Sequence, residues 1–456
     1  MAKQEESTSV SSSVSYPAEK EAVGERADGD GASQADDGDK YNHAVKRGGS
    51  WIGAVYNIMC ISVGTGTMNL PAVVRRSGWF GIILMALMAL IGWFVGILFR
   101  RAMYSRPGKR FFSFSHVTQA AFGRYGKIGF WFATIVTYVT CCGTVISWII
   151  ICGTQISRLL SFANVHLSEK ICMTIIAIIM WVPFAILKMV SEITISSLFG
   201  VLTALFTVIT LGVMSIKHRY TDTYYSPNFS EPPTHQFIIG SGIPSALASI
   251  AFMYSSAIFF PHIEGNLKKP HQFSWALALA NILVCGCYTI AAATGYSAFG
   301  SQTVSPILNN LPNMAIINAA NIIIIIHVIF ASPIALVTTN LELEMALGVM
   351  PEIIGKKKEL FWRLVMRTVT IGILLGVSIA IPYFGQFIDL VSALSCTVAF
   401  FMVPIFCYVK LIGWRNIPKW ELALCFILVI IGMIACVWGL IDAVKGLKTA
   451  IQNGRG

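Results

Sequence analysis

The chain has 456 residues, 55% hydrophobic and 12% charged, with a formal net charge of +11 at pH 7. A soluble domain carries about 25% charged residues, so this apolar surplus excludes a single water-soluble core and calls for lipid as the outer solvent. The basic residues lie between apolar runs, where they read as membrane-orientation signals rather than a nucleic-acid surface.

Residues 1–47 carry ten Asp/Glu and six Lys/Arg among Ser and Gly, with almost no large apolar side chain. Such a segment buries too little surface to offset its ordering entropy. It predicts a disordered cytosolic tail, ahead of a membrane domain over residues 48–456. The first apolar run begins near Trp51, too late for a cleavable signal peptide. Eleven helix-length apolar runs follow, near 51–73, 78–103, 128–158, 170–187, 193–216, 238–261, 273–298, 315–339, 364–383, 386–409 and 420–441. Each approaches the roughly 20 residues that cross a bilayer. The expected fold class is therefore an all-α polytopic membrane protein.

With the N-terminus in the cytosol, 24 of the 33 Lys and Arg fall on the cytosolic side, as the positive-inside rule requires. That orientation places the loop 217–237 outside, with its Asn228-Phe229-Ser230 glycosylation sequon. Eleven spans leave the C-terminus outside, where Lys445, Lys448 and Arg455 mildly oppose the assignment. The expected location is the plasma membrane, with a vacuolar or lysosomal membrane as the alternative.

The first run contains Gly64-Thr65-Gly66-Thr67-Met68-Asn69-Leu70-Pro71, poor material for a continuous helix. Backbone opened inside a bilayer must find partners in protein, ligand or ion. The N–H groups of a second half-helix suit a carboxylate, and the freed carbonyls of the first half suit an ammonium or a cation. A zwitterionic amino acid offers both charges. The competing explanation is close helix packing through small residues. The sixth run repeats the trait at Phe252-Met253-Tyr254-Ser255-Ser256-Ala257, five helices later. Matched interruptions one five-helix unit apart point to an inverted-repeat transporter, with substrate held where the breaks meet.

Gly64-Thr65-Gly66 with Leu70-Pro71 resembles the first-helix signature of the amino acid/auxin permease family. Glu264, Lys268, Lys269 and Pro270 resemble its pattern after the sixth helix, and Phe387 to Leu394 with Phe401 and Pro404 resemble its tenth. Ser392-Ala393 stands where members commonly have Gly-Ala. The likeness covers residues 48–456 and is strongest to trypanosomatid members. It implies a 5+5 inverted-repeat core, like that of the bacterial leucine transporter, plus one helix. It further implies amino acid transport driven by H+, by Na+ or by the substrate gradient. Carried over, the substrate residues are Gly64, Thr65, Gly66, Thr67, Tyr254, Ser255 and Ser256, with Thr140, Gly143 and Ser332 placed by helix depth.

His327 lies deep in the apolar run Ile322–Phe330. An ionisable group there could relay a proton; alternatively it is a neutral imidazole hydrogen-bonded to a neighbouring helix. The eleven cysteines sit in apolar runs without metal-ligand spacing and read as small packing residues. No metal or organic cofactor is expected. Neither a catalytic constellation nor a His-Glu-x-x-His motif appears, which disfavours a membrane enzyme. The acidic residues beyond the tail lie in loops or near helix ends on this map. A neutral amino acid is therefore favoured over arginine or lysine, although Asp389 at the outer mouth could hold a cationic head.

Overall fold

The computed structural model describes residues 48–187, 194–218, 233–349 and 351–453. The acidic tail and the Asn228 sequon lie outside these residues. Among the described residues, ten helices are long and apolar enough to cross a membrane, and a bent pair adds an eleventh span. That pair is α1 (Trp51–Ser62) and α2 (Leu70–Ser77). A 3-10 turn over Thr65–Asn69 links them, and α1 meets the segment Thr65–Ser77 at a bend of 43°. Ser50 caps α1 by accepting from the Gly53 N–H at 3.0 Å. Pro71 sits in the first turn of α2, where a missing N–H costs nothing.

The next five helices are α3 (Phe80–Met103), α4 (Phe114–Ala121), α5 (Gly126–Phe162), α6 (Glu169–Ile186) and α7 (Thr194–His218). The sixth span again divides, into α8 (Ile243–Met253) and α9 (Phe260–Gly265), joined by a 3-10 turn over Ser255–Phe259. The two breaks are built alike. Each is a five-residue 3-10 turn followed by a half-helix with proline in its first turn, Pro71 in one and Pro261 in the other. This correspondence between the first and sixth spans is the local signature of the five-plus-five repeat.

Then come α10 (Phe273–Phe299), α11 (Ala315–Ala346), α12 (Lys356–Ala380), α13 (Phe384–Val391), α14 (Val403–Ile412) and α15 (Lys419–Asn453). Two π-helical segments, Ser392–Cys396 and Val398–Met402, lie between α13 and α14 within the tenth span. Several ends depart from the sequence expectation. The α12 helix begins at Lys356 rather than near 364, because Arg363 and Arg367 are buried in ion pairs with Glu359 and Glu344 instead of standing in a loop. The α15 helix runs to Asn453, past the charged residues that marked its expected end. The short α4 has eight residues, too few to span a bilayer, and matches none of the eleven apolar runs.

Large apolar side chains are exposed at helical spacing: Ile83, Leu87 and Leu90 on α3; Ile128, Trp131 and Ile135 on α5; Ile430, Ile434 and Val437 on α15. Soluble monomers rarely show contiguous apolar faces of this kind, and lipid is the solvent that explains them.

Candidate functional site

A cavity of about 40 Å³ lies where the two breaks meet, room for a few waters. From the first span it takes Ile61, Ser62, Gly64, Thr65 and Gly66; from the sixth, Phe252, Met253, Ser255 and Phe259. Thr140, Cys141, Thr144 and Trp148 of α5 form one wall, and Ala331 and Ala335 of α11 another. A Cβ built on Gly66 would run into Met253 Sδ and come within 3.6 Å of the Phe252 ring. The two breaks are thus in direct contact. Gly66 has no left-handed φ, so what this position requires is space rather than unusual backbone.

The opened backbone is partly satisfied from within. Thr67 Oγ1 donates to Gly64 O at 2.7 Å. The Tyr288 hydroxyl on α10 lies 2.7 Å from Ser62 O and 2.9 Å from Met253 O, so one phenol serves the carbonyl ends of both first half-helices. Ser255 Oγ donates to Phe252 O at 2.7 Å. Cys396 is buried in the first π segment.

Of the residues expected from sequence, Gly64, Thr65, Gly66, Thr140 and Ser255 line the cavity. Thr67, Tyr254, Ser256, Gly143 and Ser332 stand behind that lining. Tyr254 turns away and its hydroxyl meets Met85 O at 3.3 Å. Gly143 packs against Val391, where a Cβ would sit 2.5 Å from a valine methyl. Ser332 donates to Ile329 O within its own helix, while its neighbour Ala331 faces the cavity. The two differ by one residue, which on a helix is a rotation of about 100°. Tyr288 was not anticipated; a phenol at mid-span in an apolar run was the available signal for it.

Ion pairs cross the protein at both ends of the site. At one end, Arg76 of α2 grips Asp389 of α13 through two bonds of 2.7 and 3.0 Å, and Ser249 of α8 joins both partners. At the other, Glu264 is fully buried and accepts from Arg110 Nε at 2.6 Å and from the Tyr104 hydroxyl at 2.5 Å. Arg110 also donates to Pro261 O. The backbone of Gly48 and Gly49 pairs with Asn266 and Lys268, tying the approach to α1 to the end of the sixth span.

His327 on α11 is fully buried. Its Nδ1 lies 2.8 Å from Gly200 O and 3.3 Å from Thr203 Oγ1, both on α7. Nε2 has no partner among the described residues. It faces the first break: a Cβ on Gly64 would stand 3.2 Å from it.

Residues 47–445 match the family described as transmembrane amino acid transporter protein. Among curated relatives, amino acid transporter AVT1C of Arabidopsis thaliana is 24% identical over 90% of this chain and 72% of its own length. AVT1I of the same plant is 25% identical over 80% of this chain and 87% of its own. The vesicular inhibitory amino acid transporter of Xenopus tropicalis is 26% identical over 64% of this chain and 56% of its own. Two solved structures share the fold. The manganese transporter of Eremococcus coleocola has a TM-score of 0.53 at 13% identity, covering 92% of this chain and 89% of that one. Inward-facing Mhp1 has a TM-score of 0.51 at 11% identity, covering 90% and 92%.

Proposed function

Because this chain belongs to the transmembrane amino acid transporter family, we propose that it moves amino acids across the membrane by alternating access around the paired breaks, with neutral side chains preferred. The observation that carries this reading is the contact of the breaks themselves, Gly66 against Met253 with Tyr288 serving both carbonyl ends. Half-helix ends that meet at one small space suit a carboxylate and an ammonium together. The α2–α13 ion pair and the Arg110–Glu264 cluster act as closures on opposite sides of the bound substrate. Uptake of a labelled amino acid panel into cells lacking their own permeases tests this; no accumulation or exchange of any amino acid would end it.

The preference for a neutral substrate rests on how the carboxylates are committed. Asp389 already has a bidentate arginine and a serine, and Glu264 an arginine and a phenol. A lysine or arginine head entering a low-dielectric site would need a free acidic partner. A tenfold excess of unlabelled arginine is therefore expected to reduce methionine or alanine uptake by less than about 20%, since the head would be desolvated without one. High-affinity arginine uptake would refute this preference while leaving the fold reading intact.

The distribution of basic residues supports a cytosolic N-terminus. An epitope tag on residues 1–47 should react with antibody only after permeabilisation, and labelling of intact cells would invert the assignment. The plasma membrane is the proposed location, and microscopy against a vacuolar or lysosomal marker decides it.

A further inference from the structure

We infer that His327 binds the coupling proton at Nε2 and that the transporter runs on protons rather than sodium; this rests on the transport reading above. The tautomer follows from the partners. A backbone carbonyl only accepts, so the Gly200 oxygen at 2.8 Å fixes a hydrogen on Nδ1. Thr203 Oγ1 donates to Gly200 O at 2.8 Å, leaving its oxygen to accept from the same Nδ1–H. In the neutral ring Nε2 is then a bare acceptor, fully buried and turned toward Gly64 in the first break. A buried acceptor without a partner is costly. A proton arriving at Nε2 makes it a donor directed at the first break, beside Gly64.

The surroundings suit a proton better than a hard cation, which requires several converging oxygens. At this node the Gly200 carbonyl and the Thr203 hydroxyl are engaged by the imidazole, and the α11 residues facing the cavity are Ala331 and Ala335. Among the described residues, the titratable groups on the packed helices leave the ring without a counter-charge. From α1 comes Cys60, which lies beside Gly200. From α5 come Tyr138, Cys141 and Cys142, and from α6 Cys172. The charged groups of α5, α6 and α7, together with His218, stand at helix ends. On α11 itself, Glu344 is roughly five turns along and paired with Arg367. The phenol of Tyr288 is engaged with Ser62 and Met253.

The test uses the full chain in proteoliposomes with labelled methionine. Counterflow at equal pH reports transport itself, and its absence for the whole amino acid panel would sink the transport reading, not this inference alone. Where counterflow is present, an inward pH gradient should drive accumulation, and a sodium gradient at equal pH should not. His327→Gln should lose gradient-driven accumulation, with counterflow measured alongside. Thr203→Val, which leaves the cavity lining untouched, removes an acceptor that favours the charged ring. Its half-maximal uptake should therefore move to lower pH by roughly half a unit. Sodium-driven accumulation in the wild type, proton-driven accumulation by His327→Gln, or an unmoved midpoint in Thr203→Val would each overturn the assignment. If His327→Gln fails to fold, the Thr203→Val midpoint decides.

Discussion

Gly66→Leu should abolish uptake while the protein still reaches the membrane, a loss on the order of 100-fold or more because the breaks can no longer close on one another. The first added carbon already meets Met253 Sδ, and the Phe252 ring lies just beyond. A leucine therefore occupies the space where the two half-helices and the substrate must converge. Gly66→Ala is a graded version. The thioether is flexible and can shift, so alanine should retain part of the activity, and Met253→Ala in the same chain should restore more of it. Such a pair is expected to be non-additive, as directly touching residues are. Surface biotinylation beside initial uptake rates separates loss of transport from loss of protein. Near-normal uptake by Gly66→Leu would move the binding site elsewhere.

Asp389→Asn should lower the initial rate of uptake about tenfold by weakening one closure, since a partly exposed bidentate pair contributes roughly 1–2 kcal/mol. Both side chains retain some exposure, 24% for Arg76 and 18% for Asp389, so solvent screens the pair and a larger effect is not expected. Arg76→Leu should act similarly. Combining Arg76→Asp with Asp389→Arg keeps both charges in place, and recovery of at least part of the rate would show that the pair itself matters. Loss in both single variants without recovery in the exchange would assign the effect to local packing around Ser249 instead.

The spans were readable because lipid imposes a length and a composition on each, and the breaks because Gly, Thr, Ser and Pro cluster where a continuous helix would have none. The paired half-helices of the first and sixth spans follow directly from that clustering. Which side chains face the cavity was less accessible. Ser332 bonds within its own helix and Gly143 packs against Val391 rather than lining the cavity, a matter of packing against neighbouring helices rather than of local composition. The ion pairs were hidden for a different reason. Arg76 and Asp389 are 313 residues apart, and nothing near either one announces the other. Arg367 reads as a loop cation, yet it is fully buried against Glu344 and the Phe184 and Leu187 carbonyls at the end of α6. Tyr288 likewise acquires its role only when α10 is brought against both breaks.

The uncompensated imidazole at the first break has an electrical consequence. Asp389 and Glu264 carry partners of their own, so a proton taken up with a zwitterionic substrate adds one net positive charge to the loaded carrier. Each inward passage would then be electrogenic, and voltage would enter the driving force alongside acidity. One elementary charge moved through 100 mV is worth about 2.3 kcal/mol, enough to hold a roughly 50-fold substrate gradient with no pH difference at all. Clamping the membrane at zero potential and equal pH would leave the same protein an equilibrating carrier, able to exchange its substrate but not to concentrate it.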